Sequence, residues 1–145
     1  MIKLSCKLEG VFKMIKKIMI ENYLSIGEKT FIFNPNDKIN ILYGENGAGK
    51  TNFIIALKMI KDFVINGVAL KKMQNKFIEP ASTKIFIEGM LDEKNYFQYF
   101  LQYGVKKEEK IRIEQEYVVF NETVLIDRKE NKYNLTDTII LILTQ

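Results

Sequence analysis

Residues 44 to 51 read Gly-Glu-Asn-Gly-Ala-Gly-Lys-Thr and satisfy the pattern G-x-x-x-x-G-K-[ST]. No other stretch constrains the fold as tightly, because a loop of this kind works between a strand that delivers it and a helix that leaves it. Both flanks suit that arrangement. Ile39 to Tyr43, INILY, is an apolar run with one polar interruption, the pattern of a strand buried on both faces. After the loop, Phe53, Ala56, Leu57, Ile60, Phe63 and Val64 recur at spacings of three and four. That spacing predicts an amphipathic helix from Thr51 to about Ile65, with Asn66-Gly67 as its end.

Each residue type in the loop answers to phosphate chemistry. Gly44, Gly47 and Gly49 accept backbone angles that a Cβ forbids, so successive N–H groups can turn inward around oxygens. The helix that follows adds unpaired N–H groups and the positive end of its dipole. Lys50 reaches the β- and γ-phosphates, and the Thr51 hydroxyl ligates Mg²⁺. With Glu45, Asn46, Ala48 and Asn52 these residues make up the expected nucleotide contact.

The rest of the chain divides around this motif. Before it, KIMIENYLSI, KTFIFN and INILY predict three strands, with a turn at Ile26-Gly27-Glu28-Lys29 and a break at Asn34-Pro35-Asn36-Asp37. A short second helical piece is expected from Leu70 to Gln74, and Pro80 closes the region. From Thr83 the period becomes two. TKIFIEGML and NYFQYFLQYG flank a hairpin turn at Asp92-Glu93-Lys94, and KIRIEQEYVVF and TVLID follow. The expected fold is therefore α/β: a P-loop NTPase-like mixed sheet around Ile39–Tyr43, the P-loop helix packed on it, and an antiparallel β-meander beyond.

Composition removes several kinds of chemistry. The 145 residues include no His, which excludes His-based acid–base catalysis, His-ligated zinc and a Ser-His-Asp triad within this chain. A lone Cys6 excludes an internal disulfide and suits a reducing cytoplasm. The net charge of +4 permits weak, salt-sensitive contact with nucleic acid, yet only Arg112 and Arg128 are arginines. That is not the profile of a base-reading protein. Tyr96, Phe97, Tyr99, Phe100 and Tyr103 suggest a base-stacking platform, although aromatic strands ordinarily pack a core. No run is apolar for long enough to predict a membrane span; Ile139 to Leu143 is the most apolar stretch. A cytoplasmic protein is expected.

GENGAGKTN, preceded by IENYLSI, resembles the ATPase heads of the RecF/SMC group and the related overcoming-lysogenization-defect ATPases. Their typical pattern is N-[FY]-x-S-[IF], a second strand, then G-x-N-G-x-G-K-[ST]-N. Asn22-Tyr23-Leu24-Ser25-Ile26, Asn46, Thr51 and Asn52 match it position by position. KMIKDFVING and the stretch EPASTKIFIEGMLDEKNYFQYFLQYG are similar to abortive-infection-type AAA ATPases, so the resemblance runs from Met14 to about Lys132. It implies Mg²⁺-ATP as ligand, head dimerisation with a second lobe or subunit, and a setting in phage defence or DNA maintenance. Residues 1–13 then form a leader or alternative start, and 14–145 the N-terminal lobe of a larger head, with hydrolysis needing elements further on.

Such heads complete their site with an Asp-Glu at the end of a Walker B strand and with a signature helix. LSIG at Leu24–Gly27 is similar to the LSGG signature but precedes the loop on a strand turn, and is not one. Val124-Leu125-Ile126-Asp127 is the minimum form of a Walker B strand, with Arg128 where a catalytic Glu is expected. Two alternatives therefore stand beside the lobe: a compact NTPase or kinase that uses Asp127, and a non-catalytic interaction module.

Overall fold

The computed structural model describes residues 15–34, 40–66, 70, 82–105, 111–130 and 132–135. Residues 1–13, residues 71–74 of the expected second helical piece, and Ile139–Leu143 lie outside them. Seven strands form one sheet: β1 (Ile15–Tyr23), β2 (Ile26–Ile32), β3 (Thr83–Met90), β4 (Tyr96–Val105), β5 (Ile111–Phe120), β6 (Thr123–Lys129) and β7 (Lys132–Leu135). Their order is β2-β1-β3-β4-β5-β6-β7, and every neighbouring pair is antiparallel. One helix, α1 (Lys50–Asn66), separates β2 from β3 in the chain.

This arrangement corrects the expected fold class. The protein is β-rich, with an antiparallel sheet and a single helix among the described residues, and is not an α/β P-loop NTPase built on a mixed sheet. Short connections are one cause. Leu24-Ser25 joins β1 to β2, 91–95 joins β3 to β4, and Asn121-Glu122 joins β5 to β6. A parallel neighbour needs a crossover of about a dozen residues or more, and these turns are far shorter. The other cause is the direct pairing of β1 with β3, Ile18 opposite Ile87 and Ile20 opposite Ile85. That pairing occupies the middle of the sheet where INILY was expected. Leu42 makes only an isolated bridge, and Ile41 and Tyr43 stand 59% and 85% exposed.

A second correction concerns the first turn. Ile26-Gly27-Glu28-Lys29 lies within β2, and the chain reverses at Leu24-Ser25, with Tyr23 paired to Ile26. Asn121 and Glu122 both have positive φ, as a two-residue hairpin that matches strand twist requires. In the 91–95 turn the Asp92 carboxylate accepts from the N–H groups of Lys94 and Asn95 and from the Asn95 side chain.

Alternation along the strands builds the core on one face. Phe31, Ile18, Ile87, Tyr99 and Val118 stand in one cross-strand row, and Ile20, Ile85 and Leu101 in the next. Ile18, Ile20, Ile85 and Leu101 are fully buried. Helix α1 lies across this face. Phe53 packs on Phe31 with ring centroids 4.1 Å apart, and six residues later Met59 Sδ accepts from the Tyr103 hydroxyl at 3.6 Å. The helix thus spans from β2 to β4, burying Phe53, Ala56, Met59 and Ile60. Phe53, Met59 and Ile60 each contribute about 1.5–3 kcal/mol, and the single methyl of Ala56 less than about 1 kcal/mol. Farther along the same face, the Tyr99 hydroxyl donates to Glu116 at 2.9 Å, and Glu116 pairs with Arg128 at 3.5 Å.

Burial raises the phenol pKa values of Tyr99 and Tyr103 and pushes Tyr23 up to about 12. Above the ordinary value near 10 the unfolded chain releases these protons while the folded chain retains them, so stability falls as pH rises. The contribution is complete below about pH 10 and is lost as pH climbs through 12. Thermal melts between pH 8 and about 11.5 should show a plateau and then a steep decline. Part of the tyrosinate absorbance should appear only with unfolding. A flat melting temperature across that range would contradict the burial of these rings.

Candidate phosphate-binding site

The loop at 44–49 enters α1 without a break. Lys50, Thr51 and Asn52 form the first turn, and the first intrahelical bond runs from Phe53 N–H to Gly49 O at 2.9 Å. The N–H groups of those three residues precede that bond and are the donors a helix start leaves unpaired. No acidic side chain sits in the first turn, so the positive end of the helix dipole is uncompensated. Gly47 and Gly49 have φ of 86° and 89°, a conformation that suits glycine. Gly49 also meets a spatial limit: a Cβ there would come within 3.1 Å of Ile26 Cγ1.

Lys50 folds back over the loop. Its Nζ donates to Gly44 O at 2.7 Å and to Glu45 O at 2.6 Å, so the ammonium lies against the backbone that the glycines shape. Ala48 N–H donates to Glu45 O at 3.2 Å and tightens the same turn. Glu45, Asn46 and Thr51, the last at the helix start, are exposed. Charge, donors and hydroxyl are gathered within one short segment, a set that suits a polyphosphate and the Mg²⁺ it carries. Among the described residues no cluster of three or more His, Cys, Asp or Glu could hold a metal.

Asn52 does not aim its side chain at the loop. Its Nδ2 donates to Ser25 Oγ at 2.7 Å, joining α1 to the β1–β2 turn. That turn is strained: Leu24 has φ of 51°, and left-handed backbone at such a residue costs roughly 1–2 kcal/mol, whereas Asn22 before it, at 57°, is of a type that accepts it. Neither Ser25 nor this contact was foreseen as part of the site. The one signal for it was the N-[FY]-x-S-[IF] match, which places a serine in the turn without saying what it touches.

Asp127 lies elsewhere. It belongs to β6, five strand positions from β2 in the sheet order, or roughly 24 Å at the usual strand spacing. It pairs with Tyr117, in the row that runs through Phe100 and Phe86, on the face opposite α1. The structure therefore brings together 44–52 and Ser25, and leaves Asp127 apart from them. The aromatic residues of β4 are likewise divided. Tyr99 and Tyr103 are buried in the core, while Phe100 stacks on Tyr117 at 5.0 Å on the other face. They do not form one continuous stacking platform.

No protein-family model matches the chain, and no curated protein does. No helix among the described residues is long and apolar enough to cross a membrane.

Proposed function

We propose that this protein binds Mg²⁺-ATP through residues 44–52, as the nucleotide-binding part of an ATPase. The observation that carries the reading is the Lys50 ammonium seated on Gly44 O and Glu45 O, beside the open N–H groups of the α1 start. In this reading the loop N–H groups cradle the phosphates, Lys50 offsets the charge of the β- and γ-groups, and the Thr51 hydroxyl is the one side-chain ligand for the metal. Mg²⁺, when bound, supplies further positive charge between phosphate oxygens. Binding and turnover draw on different residues. Hydrolysis also needs a positioned water and a carboxylate, and Asp127 is on the far face of the sheet. We assign those groups to a second lobe or partner subunit. The exposed Ile41 and Tyr43, next to the loop, support a partner surface there.

Preference for ATP over GTP, and a setting in phage defence or DNA maintenance, rest on the motif resemblance alone. Calorimetric titration with Mg²⁺-ATP, Mg²⁺-ADP and AMP tests the reading on the purified chain. Saturable binding that weakens as phosphates are removed, with turnover near the detection limit, is the expected result. Steady turnover on the order of 1 s⁻¹, lost in Asp127→Ala, would favour a self-sufficient NTPase instead. No binding of any nucleotide would end the proposal and leave a non-catalytic interaction module.

A further inference from the structure

Residues 44 to 48 are exposed, and their shape depends on what holds the base of the loop. That base is Gly49 and Asn52, and both rest on the β1–β2 turn. The Cβ position of Gly49 lies 3.1 Å from Ile26 Cγ1 and 3.7 Å from Ser25 Oγ, and Asn52 Nδ2 reaches the same Oγ at 2.7 Å. We propose that Ser25 and Asn52 are positioning residues of the phosphate site, and that the β1–β2 turn is the platform that sets the loop's geometry. The inference rests on the reading of 44–52 as a triphosphate loop.

The build of the turn supports it. Its left-handed Leu24 is costly, and such strain persists only where the surroundings impose it. The neighbouring strands hold the turn through Asn22. Asn22 O accepts from Thr83 Oγ1 at 2.8 Å, and Asn22 Nδ2 donates to Ser82 O at 3.4 Å. Ser82 is held in turn by Glu114, which also accepts from Gln102 at 2.7 Å. The turn is therefore clamped on the sheet side by β3 and β5, with Ser25 presented on the loop side. Ser25 itself is exposed, so its bond to Asn52 adds little to the core. Its consequence falls on the orientation of the first helical turn. Because the Asn52 amide is committed to Ser25, Asn52 serves the nucleotide through its backbone N–H and not its side chain. Phosphate oxygens need several N–H groups converging at once, and a small rotation of this turn spoils all of them together.

The test compares Ser25→Ala, Asn52→Ala, the double variant and Ser25→Thr by titration with Mg²⁺-ATP, each with its melting temperature. Each alanine variant should lose affinity roughly 2- to 10-fold, the worth of one hydrogen bond. The double variant should lose no more than the worse single one, and Ser25→Thr should recover wild-type affinity. Melting temperatures should stay within about 3 °C of wild type, as for other surface changes. If Asn52→Ala does not fold, the Ser25→Ala and Ser25→Thr pair decides the matter. Wild-type affinity in Ser25→Ala, with binding abolished in Lys50→Ala, would overturn this inference and leave the nucleotide reading intact. Additive losses in the double variant would also overturn it. No binding by the wild type would remove both.

Discussion

Lys50→Ala should lower affinity for Mg²⁺-ATP by at least ~100-fold, since a hydrogen bond to a charged group contributes ~1.5–3 kcal/mol and Lys50 directs several at one place. The ammonium now contacts Gly44 O and Glu45 O at 2.7 and 2.6 Å, so it is already over the loop where phosphates would sit. Lys50→Arg should recover little, because the planar guanidinium is wider than an ammonium and reaches the loop with a different geometry. The fold should be indifferent to either change. The Lys50 side chain contributes no core packing, so the melting temperature should move by no more than ~3 °C. A Lys50→Ala protein that binds as tightly as wild type would remove the phosphate-site assignment altogether.

Phe53→Ala should produce the largest loss of stability. Phe53 is 1% exposed, with the Phe31 ring at 4.1 Å and the Phe33 ring at 6.2 Å. Truncation of a phenylalanine in such a site costs about 3–5 kcal/mol, a large share of the ~5–15 kcal/mol that holds a domain together. In melting temperature that is a fall of roughly 10–20 °C for a chain of this size. Because Phe53 also pins the start of α1 to β2, nucleotide affinity should decline with the fold. Val64→Ala, at the exposed end of the same helix, should cost less than ~0.5 kcal/mol. Equal effects of the two substitutions on thermal melts would show that α1 does not dock through its N-terminal half.

Helix α1 shows how far periodicity reads. Phe53, Ala56 and Ile60 were expected on the inner face and are buried there, but Val64 is 55% exposed and Met59, outside the stripe, is buried. Among the described residues the cover over α1 thins toward its end, where Val64 and Ile65 are both exposed. Loop geometry was legible for a similar reason. Glycine, lysine and hydroxyl at fixed offsets act within a few residues of one another, and backbone angles at Gly47 and Gly49 are local properties.

Pairing was not legible. An apolar run such as INILY satisfies the pattern of a central strand, yet that pattern states only a preference for burial and names no partner. Likewise the run ending at Asp127 fits a strand, and nothing local decides which face the aspartate takes or how far it lies from residue 50. By itself the sequence determined the helix that starts at Lys50 and the period-two segments that became β3 to β6. Tertiary structure alone decided that β1 pairs with β3, that residues 40–43 are not one of the seven strands of the sheet, and that Ser25 meets Asn52 across 27 residues of chain. Contacts of that separation depend on which surfaces bury most when the whole chain closes, and no window of local sequence contains that comparison.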